Sequence, residues 1–314
     1  MKARRRDIIN HIAEQISSLY SIEESKIIAR KVASHLSNED ELKYIIEPSE
    51  EIVIDGIEEV LNQLKMARPL QYILGKAEFF SLEFFISEGA LIPRPETEEL
   101  VMWTLERAKD FERPQILDLC TGSGCIALAL KSAIKEANVT AVDLSDDALS
   151  IARKNANKLN LEVEIIKEDV LQGIPSLQDR RFDIIVSNPP YIPQQEITLM
   201  HPNVVEHEPH MALFVDDHDP LVFYRAIALS AQKMLNKGGY LLFEIHEKLG
   251  EQTSKLLKAE GFKDVELRHD FRGKPRMIWC RKKSRYANQP RLQSRLSPRL
   301  CANVRVWNVV QAML

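Results

Sequence analysis

The chain has 314 residues, of which 45% are apolar and 28% charged, a composition typical of a globular protein long enough for two domains. Its net charge of −4 argues against a dedicated duplex-binding domain, because such domains carry a strongly basic face. No apolar run approaches the ~20 residues of a membrane span and no charged-then-apolar leader opens the sequence, so we expect a cytoplasmic protein with no membrane partner.

Residues 1–75 are predicted to form a small helical domain, because apolar residues recur there at helical spacing. The stripes are Ile8, Ile9, Ile12, Ile16 and Leu19; Ile27, Ile28 and Val32; and Ile57, Val60, Leu61 and Leu64. Ser21 with Glu24 resembles a capping box at the start of the second helix. The segment 76–92 contains the aromatic-rich stretch EFFSLEFFIS, which predicts a β-hairpin linking two domains.

Residues 93–283 are predicted to form an α/β domain with a parallel sheet. Helical segments alternate there with the strand-like runs ILDL, VTAVDL, VEIIKED and FDIIVS. A long loop is expected over 189–219, followed by a helix to about Leu235, a turn at Gly238 and Gly239, the strand YLLFEI, a helix, and two short strands around Val265 and Ile278. The segment 284–314 contains several arginines but no acid, which predicts a disordered basic tail.

A glycine-containing turn lies where the first strand of the α/β region meets a helix. It reads Asp118-Leu119-Cys120-Thr121-Gly122-Ser123-Gly124, and glycines at such a turn let the backbone approach a ligand closely. Asp143 ends the next strand, where an acid can bind ribose hydroxyls. Because Gly122, Gly124 and Ala127 also match the fingerprint G-x-G-x-x-A, a dinucleotide-binding site is a rival that spacing alone does not exclude.

The tetrapeptide Asn188-Pro189-Pro190-Tyr191 follows the buried strand FDIIVS and forms a rigid polar lip. The two prolines fix φ and donate no N–H, so nearby carbonyls remain available as acceptors, and the Asn188 carboxamide offers both a donor and an acceptor. Tyr191 is suited to covering a flat group from one side. Such a lip suits a planar amide or amine nitrogen, which favours methyl transfer over hydride transfer.

With these motifs the chain resembles the release-factor glutamine methyltransferases, a family of class I S-adenosylmethionine enzymes. The lip alone is shared with adenine-N(6) DNA methyltransferases and ribosomal-protein glutamine methyltransferases. More selective are three further segments: Leu91–Glu98, which reads LIPRPETE; Arg68–Gly75, which reads RPLQYILG; and His207-Glu208-Pro209. The resemblance covers residues 1–283 and implies a Rossmann-like methyltransferase domain behind a small N-terminal helical domain joined by a β-hairpin. We expect the helical domain, residues 1–75, to dock the macromolecular substrate.

The resemblance also implies the ligands and the residues that hold them. S-adenosyl-L-methionine would be held by Cys120, Thr121, Gly122, Ser123, Gly124, Asp143, Val170 and Asn188. The GGQ-motif glutamine of class I peptide chain release factors would be held by Asn188, Pro189, Pro190 and Tyr191. Cys120 stands where this family more often has glycine, and Val170 where an aromatic residue often stacks on adenine.

In the chemistry expected here, the Asn188 side-chain oxygen and the Pro189 carbonyl accept the two amide protons of the glutamine and hold its nitrogen in line with the methyl group. No catalytic histidine is required. The alternatives are an adenine-N(6) nucleic-acid methyltransferase, a ribosomal-protein glutamine methyltransferase, and a non-catalytic adaptor that binds release factors or ribosomes. No direct contact with nucleic acid is expected.

Several polar side chains invite other interpretations. The loop 189–219 is rich in histidine and aspartate, but the spacing of these residues fits no zinc pattern, so no metal is expected. Arg94 either pairs with an acid or reaches the substrate. Glu244 is expected to cap the loop after its strand rather than to face the cofactor. Cys120, Cys125, Cys280 and Cys301 show no paired spacing and are expected to be reduced thiols.

Overall fold

The computed structural model describes residues 1–283; the predictions for the tail 284–314 and for Cys301 lie outside the described residues. The helices are α1 Arg5–Ile16, α2 Ile22–Ser37, α3 Lys43–Ile46, α4 Ile57–Lys65, α5 Leu70–Leu74, α6 Pro95–Ala108, α7 Cys125–Ala133, α8 Asp146–Leu159, α9 Pro202–Val205, α10 His210–Leu213, α11 Val222–Met234 and α12 Gly250–Ala259. The strands are β1 Lys2–Arg4, β2 Glu51–Val53, β3 Lys76–Phe79, β4 Leu82–Phe85, β5 Gln115–Leu119, β6 Asn138–Asp143, β7 Glu164–Lys167, β8 Phe182–Ser187, β9 Ile192–Pro193, β10 Phe214–Val215, β11 Leu235–Glu244, β12 Lys263–His269 and β13 Pro275–Arg281. Short 3-10 turns cover Val170–Gln172, Pro175–Leu177 and Gln194–Leu199.

The N-terminal segment consists of helices α1 to α5 and the antiparallel pair of β1 and β2, around a core of its own. The predicted helices are confirmed, and the Ser21 hydroxyl accepts from the Glu24 backbone N–H at 3.2 Å, which caps α2. Two positions of the predicted stripes are wrong. Leu19 lies beyond the end of α1, and Ile27 points to solvent on α2, so both are exposed. Residues 1–283 form one compact unit, and the domain boundaries predicted at 75 and 92 stay predictions.

Strands β3 and β4 form the expected hairpin, with Lys76 paired to Phe85 and Phe79 to Leu82. The two turn residues, Phe80 and Ser81, both have positive φ, at 51° and 60°. Positive φ at both central positions is the geometry of the tight turn whose twist matches the strands that it joins.

A seven-stranded sheet forms the centre of the α/β part, in the order β12-β13-β11-β8-β5-β6-β7. Only β13 is antiparallel to its neighbours, so the parallel α/β arrangement expected from the sequence is confirmed. Helices α6 and α7 cover one face, and α11 and α12 cover the other, each over its own apolar cluster. The chain order reverses between β5 and β8, and ligands of open α/β sheets bind outside the carboxyl ends of the strands at such a point.

The predicted turn at Gly238 and Gly239 is wrong, because β11 runs through both residues. A Cβ atom at Gly239 would lie 2.8 Å from the backbone oxygen of Asp183. Glycine is therefore needed there for the close approach of β11 to β8, where the register shifts between Leu235 and Tyr240.

The segment 189–219, predicted as one long loop, is divided by short helices and by the two-residue pair of β9 and β10.

Candidate active site at the switch point of the sheet

The turn between β5 and α7 presents its backbone to the crevice. Cys120, Gly122 and Gly124 all have left-handed φ angles, at 59°, 56° and 82°. A Cβ atom at Gly122 would meet nothing within 4 Å, so this backbone faces open space, as a ligand-binding loop requires. A Cβ at Gly124 would lie 3.2 Å from Ala152 and Leu128, so Gly124 is needed for packing against the helices.

Asp143, at the end of β6, holds this turn in place. Its carboxylate accepts from the backbone N–H of Gly122 at 2.8 Å and from that of Ser145 at 3.0 Å. Burial raises the pKa of Asp143 in spite of these bonds. Each carboxylate oxygen has two lone pairs, so the group retains acceptor capacity for the hydroxyls of a ribose.

Asp118, at the end of β5 before the glycine-containing turn, is a fully buried acid for which the sequence predicted no role. Its Oδ2 accepts from the Thr121 hydroxyl at 2.5 Å and from the Ala127 backbone N–H at 3.2 Å. Its Oδ1 and the Ser123 hydroxyl are buried and have no hydrogen-bond partner among residues 1–283. Burial raises the pKa of Asp118 to about 7. An unpaired buried carboxylate oxygen is costly, and a cationic ligand group would relieve that cost.

Val170 and Cys120 lie beside the same crevice. Val170 is buried and begins a 3-10 turn that the Asp169 carboxylate caps by accepting from the Leu171 N–H at 2.9 Å. Val170 packs in the apolar cluster beneath α11, and its contact with a cofactor stays a prediction. Burial raises the pKa of the Cys120 thiol well above its usual value, so this thiol is neutral. Cys120, Cys125 and Cys280 are all free thiols.

The lip Asn188-Pro189-Pro190-Tyr191 starts where β8 ends, next to the turn after β5. The Ser187 hydroxyl donates to the Leu119 carbonyl at 2.6 Å and ties the two strand ends together. Asn188 Nδ2 donates to Thr97 Oγ1 at 3.3 Å. Among the described residues no hydrogen bond engages Asn188 Oδ1 or the Pro189 carbonyl, so both acceptors remain available to a ligand.

Glu244 lies behind the lip and does not cap the following loop, so that expectation was wrong. Its side chain is buried and accepts from the Tyr191 hydroxyl at 2.9 Å and from the Thr97 hydroxyl at 2.7 Å. Burial raises the pKa of Glu244, while these two bonds and the guanidinium of Arg276 lower it. The Tyr191 ring also packs edge-on against His246, at 6.1 Å between centroids. Its covering of a ligand stays a prediction.

Arg94 pairs with an acid, which decides between its two interpretations. The guanidinium lies 2.5 Å from Glu208, whose buried carboxylate also accepts from the Ile92 N–H at 3.1 Å. The segments 91–98 and 207–209, which carry the family resemblance, are therefore joined in space. The hydroxyl of Tyr72 in the third such segment donates to the Ala90 carbonyl at 2.8 Å, and His207 lies 3.0 Å from the Met66 carbonyl.

Histidines of the segment 189–219 contact other side chains and backbone carbonyls of this chain. His201 stacks on Tyr20, and His210 Nε2 lies 2.7 Å from the Val205 carbonyl. Within residues 1–283 no group of three or more histidine, cysteine or acidic side chains is placed to hold a metal ion. In the same part of the chain no helix is long and apolar enough to cross a membrane.

Comparisons with known proteins agree with this geometry. A family model described as Methyltransferase small domain matches residues 97–209. The release factor glutamine methyltransferase of Flavobacterium psychrophilum is 42% identical over 280 residues, which cover 86% of this chain and 98% of that protein. The protein of the same name from Bacteroides thetaiotaomicron is 38% identical over 276 residues, with coverage of 86% and 98%.

Among solved structures, the hMettl16 catalytic domain in complex with MAT2A 3'UTR hairpin 6 superimposes with a TM-score of 0.52 at 17% identity. The match covers 68% of this chain and 79% of that one. At this identity the likeness shows the fold alone. Together with the family model, it confirms the Rossmann-like methyltransferase fold expected from the sequence.

Proposed function

Because this chain belongs to the family of release factor glutamine methyltransferases, we propose that it methylates the side-chain amide nitrogen of a glutamine in a peptide chain release factor, with S-adenosylmethionine as the methyl donor. The observation that carries the proposal is the position of the lip. The two available acceptors, Asn188 Oδ1 and the Pro189 carbonyl, lie at the end of β8, directly beside the ligand-facing turn after β5.

The crevice offers acceptors for two polar parts of the methyl donor, its ribose and its ammonium. The Asp143 carboxylate would accept from the ribose hydroxyls. The unpaired Asp118 Oδ1 would accept from the ammonium of the methionine part, and the open backbone of Gly122 would allow the close approach between them. When bound, the donor supplies an electrophilic methyl group on a sulfonium. These three groups orient it toward the lip.

The lip acts on the substrate nitrogen. A glutamine amide is a poor nucleophile, because its lone pair is delocalised into the carbonyl. Asn188 Oδ1 and the Pro189 carbonyl accept hydrogen bonds from its two N–H groups. These bonds fix the nitrogen in position and stabilise positive charge as it develops. Holding reactants in line can lower a barrier by roughly 7–11 kcal/mol. After the methyl group has moved from the sulfonium to the amide nitrogen, the cationic product releases one N–H proton to water. This chain therefore needs no strong base before methyl transfer.

The finer assignment is to the GGQ-motif glutamine of class I release factors. It is supported by the identity to relatives named for release factor glutamine methylation, over nearly their whole length. A nucleic-acid adenine substrate has less support, because the likeness to an RNA-bound methyltransferase is one of fold alone. The net charge of −4 also argues against a dedicated duplex-binding domain.

The test is incubation of the purified protein with S-adenosylmethionine and an unmethylated release factor, followed by intact-mass analysis. The expected result is the gain of one methyl group by the release factor. The matched control is the same release factor with asparagine in place of the GGQ glutamine, which should gain none. Equal methylation of both forms would overturn the assignment to that glutamine.

A further inference from the structure

A buried hydrogen-bond relay lies behind the lip and links it to two distant elements. Phe243 of β11 pairs with Ser187 of β8, so Glu244 and Asn188 leave the sheet side by side at the same edge. Thr97, in the first turn of α6, lies between them. Its hydroxyl donates to Glu244 Oε2 at 2.7 Å, and Asn188 Nδ2 donates to the same hydroxyl oxygen at 3.3 Å.

The direction of each bond in this relay follows from the chemistry of its end group. An ionised carboxylate only accepts, so the single Thr97 proton must point to Glu244. The Thr97 oxygen is then left with lone pairs alone toward Asn188, and only the NH₂ side of the Asn188 carboxamide can face it. The Asn188 oxygen must therefore point away from Thr97, toward the crevice.

Two hydroxyl donors place Glu244 in the acceptor role that this relay requires, and they oppose the burial that raises the pKa of this carboxyl. Both carboxylate oxygens receive a hydroxyl donor, from Thr97 and from Tyr191. The guanidinium of Arg276 stabilises the negative charge as well. Thr97 and Glu244 are each 2% exposed, so water does not compete for these bonds.

We propose that Thr97 and Glu244 are positioning residues that set the orientation of the Asn188 carboxamide. They turn its oxygen toward the crevice, and the site thereby selects a substrate nitrogen that can donate an N–H. The inference rests on the proposed function, since it assigns Asn188 Oδ1 to the substrate amide. A carboxamide turned by 180° would direct its own NH₂ at the NH₂ of the substrate. Two donors would then face each other, and neither would be satisfied.

The test compares two substitutions at Thr97. Thr97→Val keeps the shape and removes the hydroxyl, whereas Thr97→Ser keeps the hydroxyl. Thr97→Val should lower kcat about 10- to 100-fold, with KM for the release factor and Kd for S-adenosylmethionine changed less than about threefold. Thr97→Ser should restore most of kcat. Glu244→Gln should also lower kcat, because a glutamine amide can present either its oxygen or its NH₂ to Thr97.

A matched control lies in the same helix. Thr104 is also buried, and its hydroxyl donates to the Leu100 carbonyl at 2.8 Å, remote from the lip network. Thr104→Val should lower thermal stability to a similar degree as Thr97→Val and leave kcat near the wild-type value. If the two variants lose kcat equally, or if Thr97→Val retains full kcat, the positioning role is wrong.

A second measurement does not depend on activity. In ¹⁵N NMR spectra of the protein without release factor, the side-chain amide of Asn188 should shift and exchange faster with water in Thr97→Val and Glu244→Gln. It should resemble wild type in Thr97→Ser. Identical Asn188 signals in all four proteins would overturn the relay. Failure of the wild-type protein to methylate any release factor, with the NMR pattern intact, would instead overturn the proposed function.

Discussion

Asn188 is the residue on which the proposed chemistry depends most directly. Asn188→Ala removes the acceptor for a substrate proton, and loss of one such hydrogen bond at a reacting centre typically lowers kcat by about 10²–10³-fold. The methyl-donor Kd should stay within about threefold of the wild-type value, because Asp118, Asp143 and Gly122 are unchanged. Steady-state kinetics and calorimetry measure the two quantities. Near-normal turnover in the variant would refute the assignment.

Asp143 should determine the affinity for the methyl donor. Asp143→Ala removes an acceptor for ribose hydroxyls and also releases the Gly122 N–H, whose bond to the carboxylate is 2.8 Å long. Charge-assisted hydrogen bonds are each worth about 1.5–3 kcal/mol, so affinity should fall at least tenfold. Calorimetric titration measures this, with the exposed Asp179→Ala as the control. Tight binding of NADH and none of S-adenosylmethionine would favour a dinucleotide site instead.

Asp118 should make the stability of the ligand-free protein depend on pH. Its pKa is raised from 3.8 to about 7 in the folded chain by burial, so the folded state binds the proton more tightly than the unfolded state. This contribution is fully present below the unfolded pKa and is lost as pH rises through about 7. Asp118→Asn should therefore gain stability relative to wild type as the pH rises from about 4 to about 7. Urea unfolding measures it, and a difference that stays constant across this range would contradict the assignment.

At the residue level, the sequence identified the lip and Asp143 because each follows an apolar strand run. It did not indicate the contact between Thr97 and Glu244, because these residues are 147 positions apart and meet only when α6 packs across the end of β11. The acid at Asp118, in an otherwise apolar strand before a glycine turn, already indicated a buried carboxyl group. Its unpaired oxygen was not readable.

At the scale of elements, the ion pair of Arg94 and Glu208 joins the entry to α6 with the segment before α10. Arg94→Ala would leave the Glu208 carboxylate, whose side chain is 1% exposed, without its partner. The expected loss is about 1.5–3 kcal/mol in free energy of unfolding. Adding Glu208→Gln should recover part of it by removing the charge. Urea unfolding of the two variants, beside Arg113→Ala as an exposed control, checks this, and equal stability of the single and double variants would contradict it.

Sequence periodicity predicted most helices and the parallel strands, since apolar spacing reports which face of an element is buried. It failed at β11, where a glycine pair suggests a turn but serves a close backbone approach to β8. It also failed at 189–219, because four-residue helices such as α9 are too short to show a period.

At the scale of the whole molecule, the site described above is built from residues 1–283, and the sequence predicts that the tail 284–314 is dispensable. Truncation after Lys283 should leave the melting temperature and release-factor methylation unchanged within error. Differential scanning calorimetry and the intact-mass assay measure both. A large loss of either would show that residues beyond Lys283 take part in folding or in substrate binding.

The helical segment 1–75 is suited to holding a macromolecular substrate, since it lies outside the catalytic sheet. Its Met66 carbonyl lies 3.0 Å from His207 of the α/β part, and its Tyr72 hydroxyl donates to the Ala90 carbonyl, so it lies beside the segments 91–98 and 207–209. Docking of the release factor on this segment stays a proposal.

The central claim is that the lip directs a methyl group to a glutamine side-chain nitrogen. Fragmentation mass spectrometry of the release factor, after incubation with the protein and S-adenosylmethionine, tests it most directly. The account predicts one added methyl on the side chain of the GGQ glutamine, and none when the Asn188→Ala variant replaces the wild-type protein. A methyl on any other residue, or equal labelling of that glutamine by the variant, would contradict it.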